Sequence, residues 1–339
     1  MINTHYRLVS PKRIGIDYVD EQITENQVIV RPTYLSICAA DARYYHGKRD
    51  PKVLSKKLPM SLIHECVGVV LTDPKGEFKS GTKVVLIPNT PTEQDEVIKE
   101  NYLRSSKFRA SGFDGFMQSF VAMDRNRIIP YEGISDRVAV LLEIMSVTMN
   151  ALEHYNAYSH KKKQTLGVWG CGSLGFVTSL ILKKTYPNAK IYVFGTNVNK
   201  LHYFNFADAT FLINDIPEGL TIDHAFECVG GANAENAINQ IIDLINPQGS
   251  IALMGVSENL VGINTRMVLE KGLTLLGNSR SGYEDFEAAI NFFKEYPETV
   301  EYFEKIISEE VIVNSIGDMS KAFETDLATD FKTIMRWEI

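Results

Sequence analysis

The sequence predicts a two-domain α/β protein, with a β-rich first part, a doubly wound parallel sheet in the middle and a short return at the end. Three observations carry this. At 339 residues the chain is longer than one hydrophobic core usually fills. Its first third holds short runs rich in Val, Ile and Thr, bounded by Gly or Pro, which read as strands. From about residue 160, short apolar strands alternate with helical stretches, the pattern of βαβ units.

In chain order, QVIVRPTYLSIC (27–38), ECVGVVLT (65–72) and TKVVLIPN (82–89) are the first strands. The span 89–112 is polar and aperiodic, a long loop or surface lobe of the kind that often carries function. From 135, SDRVAVLLEIMSVTMNALEHY places apolar residues at helical spacing and predicts one or two helices. TLGVWG, AKIYVFG, HAFECVG and GSIALMG follow as parallel strands. After about 280 come a helix (YEDFEAAINFFKEYP), a strand (SEEVIVNSI), and a last helix and strand (MSKAFETDLATDFKTIMRWEI).

The net charge of -7 argues against nonspecific nucleic-acid binding, which needs a positive field. Cys38, Cys66, Cys171 and Cys228 form no Cys-x-x-Cys pair and are too sparse for a disulfide framework. No apolar h-region opens the chain, and no run of about 18 apolar residues occurs in it. A cytoplasmic protein with reduced thiols and no membrane span is the expectation.

Gly170-x-Gly172-x-x-Gly175 lies between an apolar strand and an apolar helix, in TLGVWGCGSLGFVTSLILKK. The glycines suit a tight turn, close approach of a pyrophosphate and close helix-to-strand packing. The following helix N-terminus, beginning at Ser173 and Leu174, offers free N–H groups to phosphates. The next strand decides which dinucleotide binds. Where an NAD site carries Asp or Glu, this strand ends in Gly195, followed by Thr196, Asn197 and Lys200. Without a carboxylate a 2′-phosphate meets no repulsion, and Lys200 can pair with it, although it also suits an ordinary solvated helix position. The expected cofactor is NADPH/NADP+.

Cys38 ends a strand, His64 and Glu65 begin another, and Glu143 sits on an apolar helix. Taken singly, each has an ordinary structural explanation: a small core thiol, a hydrogen-bonded histidine, a helix carboxylate. Together they supply one thiolate, one imidazole and two carboxylates, a borderline-soft set suited to catalytic zinc.

From about residue 25 to the C-terminus the sequence resembles the medium-chain dehydrogenase/reductases of the zinc alcohol and polyol dehydrogenase type. The residues that carry the resemblance are VIVRPTYLSICAAD, IHECVGVV, GTKVVLIP, GFDGFMQSFV, LLEIMSVTMNAL, GCGSLG, AFECVGG and INPQGSIALMG, in family order. The resemblance implies a GroES-like partial β-barrel catalytic domain (1–147 and 281–339) with a Rossmann dinucleotide-binding domain (148–280) inserted. It implies zinc ligation by Cys38, His64, Glu65 and Glu143, without assigning which glutamate binds directly. Three departures stand out. Ile63 replaces the glycine before the histidine, so how His64 and Glu65 both reach one metal is left to the geometry. Ala40 stands where a hydroxyl often relays a proton. The 89–112 lobe has no cysteine, so one catalytic zinc per chain is expected and no structural zinc.

After Cys38, Arg43-Tyr44-Tyr45 resembles the His-Tyr-Tyr run of sorbitol-type dehydrogenases, in which a tyrosine borders the substrate. Arg43, Lys48, Arg49 and Lys52 make this loop basic, which suits a sugar phosphate but also an ordinary solvated loop. Ser279 and Arg280 fall where relatives approach cofactor or substrate. Through YLSICAADARYYHG, LGNSRSGYEDF, the cysteine-free lobe and the absent acid, the chain further resembles the bacterial ribulose-5-phosphate reductases. That resemblance implies NADPH-dependent reduction of D-ribulose 5-phosphate to D-ribitol 5-phosphate for teichoic-acid or capsule synthesis, beside a cytidylyltransferase that makes CDP-ribitol. A homodimer is the expected assembly. The rival readings are an NAD-linked sorbitol- or threonine-type dehydrogenase on an unphosphorylated alcohol, and a noncatalytic nucleotide-binding protein on the same fold.

Overall fold

Glu65–Thr72, the strand that the His-Glu pair introduces, lies inside a seven-stranded sheet. Its neighbours are Lys83–Leu86 and Gln27–Ser36, both antiparallel. Ile128–Pro130 extends one side, and Val121–Asp124 also pairs with Gln27–Ser36. The last strands of the chain complete the sheet. Lys332–Trp337 runs antiparallel to Gln27–Ser36, and Ile307–Val313 runs parallel to Lys332–Trp337. A second sheet of Arg13–Asp20, Ile2–Ser10 and Met60–Ser61 shares the core, where Tyr6, Leu8 and Ile14 cluster with Val28, Leu35 and Trp337. Sequence patterning does not reveal the Ile2–Asp20 hairpin, because Ile16 and Tyr18 face solvent and blur the two-residue alternation.

The computed structural model describes all 339 residues, and they form two units: Met1–Ser146 with Ser281–Ile339, and Val147–Arg280. In the first unit two expectations need correction. The basic stretch after Cys38 is not a loop but two short helices, Ala39–Tyr45 and Pro51–Lys57. Pro51 suits a first helical position, and the Asp50 carboxylate caps the helix by accepting from the Lys52 N–H at 2.7 Å. The 89–112 lobe is not aperiodic throughout: Asn89–Thr90 pairs with Lys107–Phe108, and Glu100–Tyr102 forms a 3-10 turn. Arg127 holds that turn with two donations to the Glu100 carboxylate, at 2.7 and 3.1 Å. The expected helices appear as Asp136–Ala139 and Leu142–Tyr158, and later as Tyr283–Glu295 and Ile316–Asp326.

In Val147–Arg280 six parallel strands run in the order Ala209–Leu212, Lys190–Gly195, Thr165–Trp169, His224–Glu227, Ser250–Leu253, Thr274–Gly277. This is the doubly wound arrangement, with its switch point beside the first strand in sequence, Thr165–Trp169. The two edge strands escape sequence reading because each is only four residues long and incompletely buried. Stacking of Trp169 on Phe194, with ring centroids 3.8 Å apart, joins the first strand to the second.

His224 is fully buried in this sheet. Its Nδ1 accepts from the Ser250 N–H and its Nε2 donates to the Lys162 carbonyl, each at 3.0 Å, which fixes one neutral tautomer. Burial, helped by neighbouring His160, pushes its pKa down to about 4. The folded value lies below the unfolded value of about 6.5. The unfolded chain therefore takes the proton first, and this stabilisation is complete above about pH 6.5 and lost as pH falls towards 4. Thermal unfolding at about pH 7.5 and about pH 5 is expected to show a smaller loss of Tm in His224→Gln than in the unaltered protein. Equal losses would exclude this role for His224.

Candidate active site

The segment before Glu65–Thr72 is fixed by backbone conformation. Ile63 has φ +70°, the left-handed region in which a branched side chain is strained by about 1–3 kcal/mol. The isoleucine thus adopts the turn that a glycine takes easily. Neighbouring groups hold it there. The Ile63 N–H donates to the Asp41 carboxylate at 3.0 Å, and the Ile63 carbonyl accepts from the Phe116 N–H at 2.8 Å. Gly115 lies so close that a Cβ on it would stand 2.3 Å from the Leu62 carbonyl oxygen. His64 precedes the strand and Glu65 opens it, so the pair escapes strict alternation of faces.

The structure brings Cys38, His64 and Glu65 together, with one ligand atom from each within 4.8 Å of the others. Asp41 and Lys332, which sequence reading does not single out, support them. Asp41 Oδ2 lies 3.1 Å from His64 Nδ1, which leaves Nε2 as the nitrogen that could bind a metal. Lys332 donates to Glu65 Oε1 at 2.5 Å and to the Ile37 carbonyl at 3.1 Å. Asp41, Glu65 and Lys332 are all buried. Burial alone would lower the Lys332 and His64 pKa values. The Glu65 carboxylate outweighs it at Lys332, and Asp41 and Cys38 outweigh it at His64, so both are raised.

Glu143 lies in the first turn of the helix Leu142–Tyr158 and is buried, but it is not one of the three clustered donors, contrary to the expectation that it joins them. Burial pushes its pKa up to about 7, against the lowering influence of His64 and with a further upward contribution from Glu65. Tyr44 is buried with Arg49 4.7 Å above its ring, and Arg43 occupies the last turn of the same helix. Arg280 has φ +61°, and burial lowers its pKa.

A zinc ion fits the clustered donors. Thiolate, imidazole and carboxylate are zinc ligands, and the second Glu65 oxygen is buried with no hydrogen-bond partner. Asp41 is legible in hindsight as an acid in the otherwise small-residue run CAAD, and Lys332 as a charge opening an apolar strand. Neither signal names its partner.

At the switch point Gly170 has φ +121°, and a Cβ on Gly175 would stand 1.8 Å from the Gly170 carbonyl oxygen. Gly172 precedes the helix Ser173–Thr185 and faces open space, with Ser173 and Leu174 half-buried beside it. After the second strand, Thr196 is exposed and Asn197 caps the helix Val198–Leu201, accepting from the Asn199 and Lys200 N–H groups at 2.9 and 3.1 Å. Gly195 has a packing reason as well as an electrostatic one: a Cβ there would meet the Cys171 side chain at 2.7 Å.

These features define a zinc-type dehydrogenase, and the comparisons agree. Residues 24–133 match the alcohol dehydrogenase GroES-like domain, and residues 136–337 match the glucose dehydrogenase C-terminus. The chain is 51% identical over 341 residues to the ribulose-5-phosphate reductase of Bacillus spizizenii, covering all of both. It is 52% identical to ribulose-5-phosphate reductase 1 of Staphylococcus aureus, covering 99% of each. The crystal structure of S. aureus TarJ in complex with NADPH superposes with a TM-score of 0.90 at 47% identity, with all of each chain covered. The chain belongs to the medium-chain dehydrogenase/reductase family and, within it, to the ribulose-5-phosphate reductases.

Two outcomes follow from the supporting residues. Asp41→Asn is expected to weaken zinc binding about 10- to 100-fold, measured by competition with a chelator of known affinity. An unchanged affinity would remove Asp41 from the site. Lys332→Met leaves Glu65 buried without its cation and is expected to cost about 3–5 kcal/mol in urea unfolding, while Lys332→Arg keeps most of it.

Proposed function

We propose that the protein catalyses the NADPH-dependent reduction of D-ribulose 5-phosphate to D-ribitol 5-phosphate. Full-length identity of about half to curated ribulose-5-phosphate reductases carries this reading, and the gathered Cys38, His64 and Glu65 support it. The NADPH held by the similar TarJ, together with the missing carboxylate at Gly195, favours NADPH over NADH.

Cys38, His64 and Glu65 would hold one zinc ion, which supplies Lewis acidity to a carbonyl oxygen, while NADPH supplies the hydride. The chain's own residues prepare that chemistry. Asp41 fixes the His64 ring and its tautomer. Lys332 compensates the buried Glu65 charge and fixes its Oε1. With Ala40 offering no hydroxyl for a relay, the Glu143 carboxyl is the nearby group whose proton affinity burial brings towards neutrality. Gly170, Gly172, Ser173, Leu174 and Gly175 would receive the pyrophosphate, and Thr196, Asn197 and Lys200 the adenosine ribose and its 2′-phosphate.

The product is suited to a cytidylyltransferase that forms CDP-ribitol for teichoic acid or capsule polymer, and a cytoplasmic homodimer fits this reading. No helix is long and apolar enough to cross a membrane.

Two measurements test the proposal. Initial rates with NADPH or NADH, on ribulose 5-phosphate or free ribulose, are expected to favour NADPH and the phosphorylated ketose. Comparable rates with NADH and the free sugar would overturn it. Because Gly195 has no room for a side chain, the cofactor test is Lys200→Ala, expected to lower the NADPH/NADH ratio of kcat/KM about tenfold, the size of one lost charge contact.

A further inference from the structure

Resting on that reading, we propose that Lys57, Ser111, Arg49 and Tyr44 form the subsite that holds the substrate's phosphate. Lys57 closes the helix Pro51–Lys57 and is half-buried. Its ammonium donates to the Ser111 hydroxyl at 3.1 Å and has no carboxylate partner. The same ammonium lies 5.8 Å from the centre of the Tyr44 ring, over which the Arg49 guanidinium sits at 4.7 Å. Two cations therefore converge on one aromatic ring, and the Tyr44 hydroxyl makes no hydrogen bond within the protein.

A cation pair with adjoining hydroxyl donors has the chemistry of a phosphate site. Phosphate accepts several charge-assisted hydrogen bonds at once, and Lys57 has no carboxylate to compete with it. Ser111 keeps its own hydroxyl proton available while it accepts from Lys57. Arginine and lysine contribute differently: a planar fork held over the ring, and a mobile point charge that can turn to the ligand.

Two independent tethers place this cluster beside the metal ligands. Tyr44 lies on the helix Ala39–Tyr45, whose N-cap residue is Cys38. Six residues of helix carry it roughly 9 Å along the axis from that ligand. Ser111 follows Phe108, whose ring packs on His64 with centroids 5.4 Å apart, and the Ser111 N–H donates to the Phe108 carbonyl at 3.2 Å. A five-carbon ketose phosphate separates its carbonyl carbon from phosphorus by roughly 6 Å, from ordinary bond lengths. With the phosphate oxygens and a hydrogen bond added, that length is comparable to the helical span from Cys38 to Tyr44, the ring on which Lys57 and Arg49 lie.

The experiment compares kcat/KM for ribulose 5-phosphate and free ribulose in the zinc-loaded enzyme and its Lys57→Ala, Arg49→Ala and Lys57→Arg variants. Zinc content and circular dichroism establish that each variant is folded. Lys57→Ala is expected to raise KM for ribulose 5-phosphate about 10- to 100-fold with kcat within about threefold, the effect of a lost charge-assisted hydrogen bond. Selectivity over ribulose falls with it, inhibition by inorganic phosphate weakens, and Lys57→Arg restores much of both. Lys56→Ala, one residue earlier and exposed, leaves selectivity unchanged. Should Lys57→Ala prove unfolded, Arg49→Ala carries the same test. Folded variants that keep the unaltered enzyme's selectivity and phosphate inhibition would overturn the subsite while leaving the reductase reading intact. An unaltered enzyme that does not prefer the phosphorylated ketose would remove both.

Discussion

The buried contact between Lys332 and Glu65 is the constraint on which the catalytic unit depends. Glu65 begins a strand near the start of the chain, and Lys332 begins the last strand. Between them lies Gln27–Ser36, which pairs with both: Ser36 stands opposite Glu65 on one side and Ile334 on the other. A carboxylate in that position needs a cation in reach, since an isolated buried charge is costly. The cation arrives only after the chain has completed Val147–Arg280 and returned. The return of the chain after Val147–Arg280 is thus a requirement of the site itself: a chain ending at residue 280 would leave Glu65 buried and uncompensated.

Asp41 plays the same part on a smaller scale. One of its oxygens orients His64, and the other accepts the N–H of strained Ile63. A single carboxylate therefore supports both the ligand and the backbone turn that presents it. A left-handed isoleucine persists only where the surroundings over-determine it. Here Phe116 and the side-chain-free approach of Gly115 complete the support, so the isoleucine holds a turn that a glycine would adopt without strain.

This explains what the sequence made legible. Cys38, His64 and Glu65 could be found because their residue types are rare in apolar runs and their order along the chain is characteristic. The strand alternation and the glycine turn at 170–175 could be found because both are local patterns. Lys332, Asp41 and Lys57 act through partners between 23 and 267 positions away in the chain or on a neighbouring segment, and no local pattern reports such distances. The Ala39–Tyr45 and Pro51–Lys57 helices were hidden for a different reason: each is too short to show helical periodicity, and their basic residues read as a loop.

The charges around the ligands also account for one another. Cys38, Asp41, Glu65 and Glu143 are four acidic groups around a single permanent cation, Lys332, and one histidine. Negative charges packed together and mostly buried are costly without further positive charge. The raised pKa of Glu143 and the raised pKa of His64 are two expressions of that excess, one keeping a proton on a carboxyl and the other keeping one on an imidazole. A divalent cation among the three clustered ligands would answer the same excess. Both protons would then be released more readily, because the metal's charge replaces theirs. The acid-rich composition of the site is therefore a property of a dication site, and Lys332 alone does not balance it.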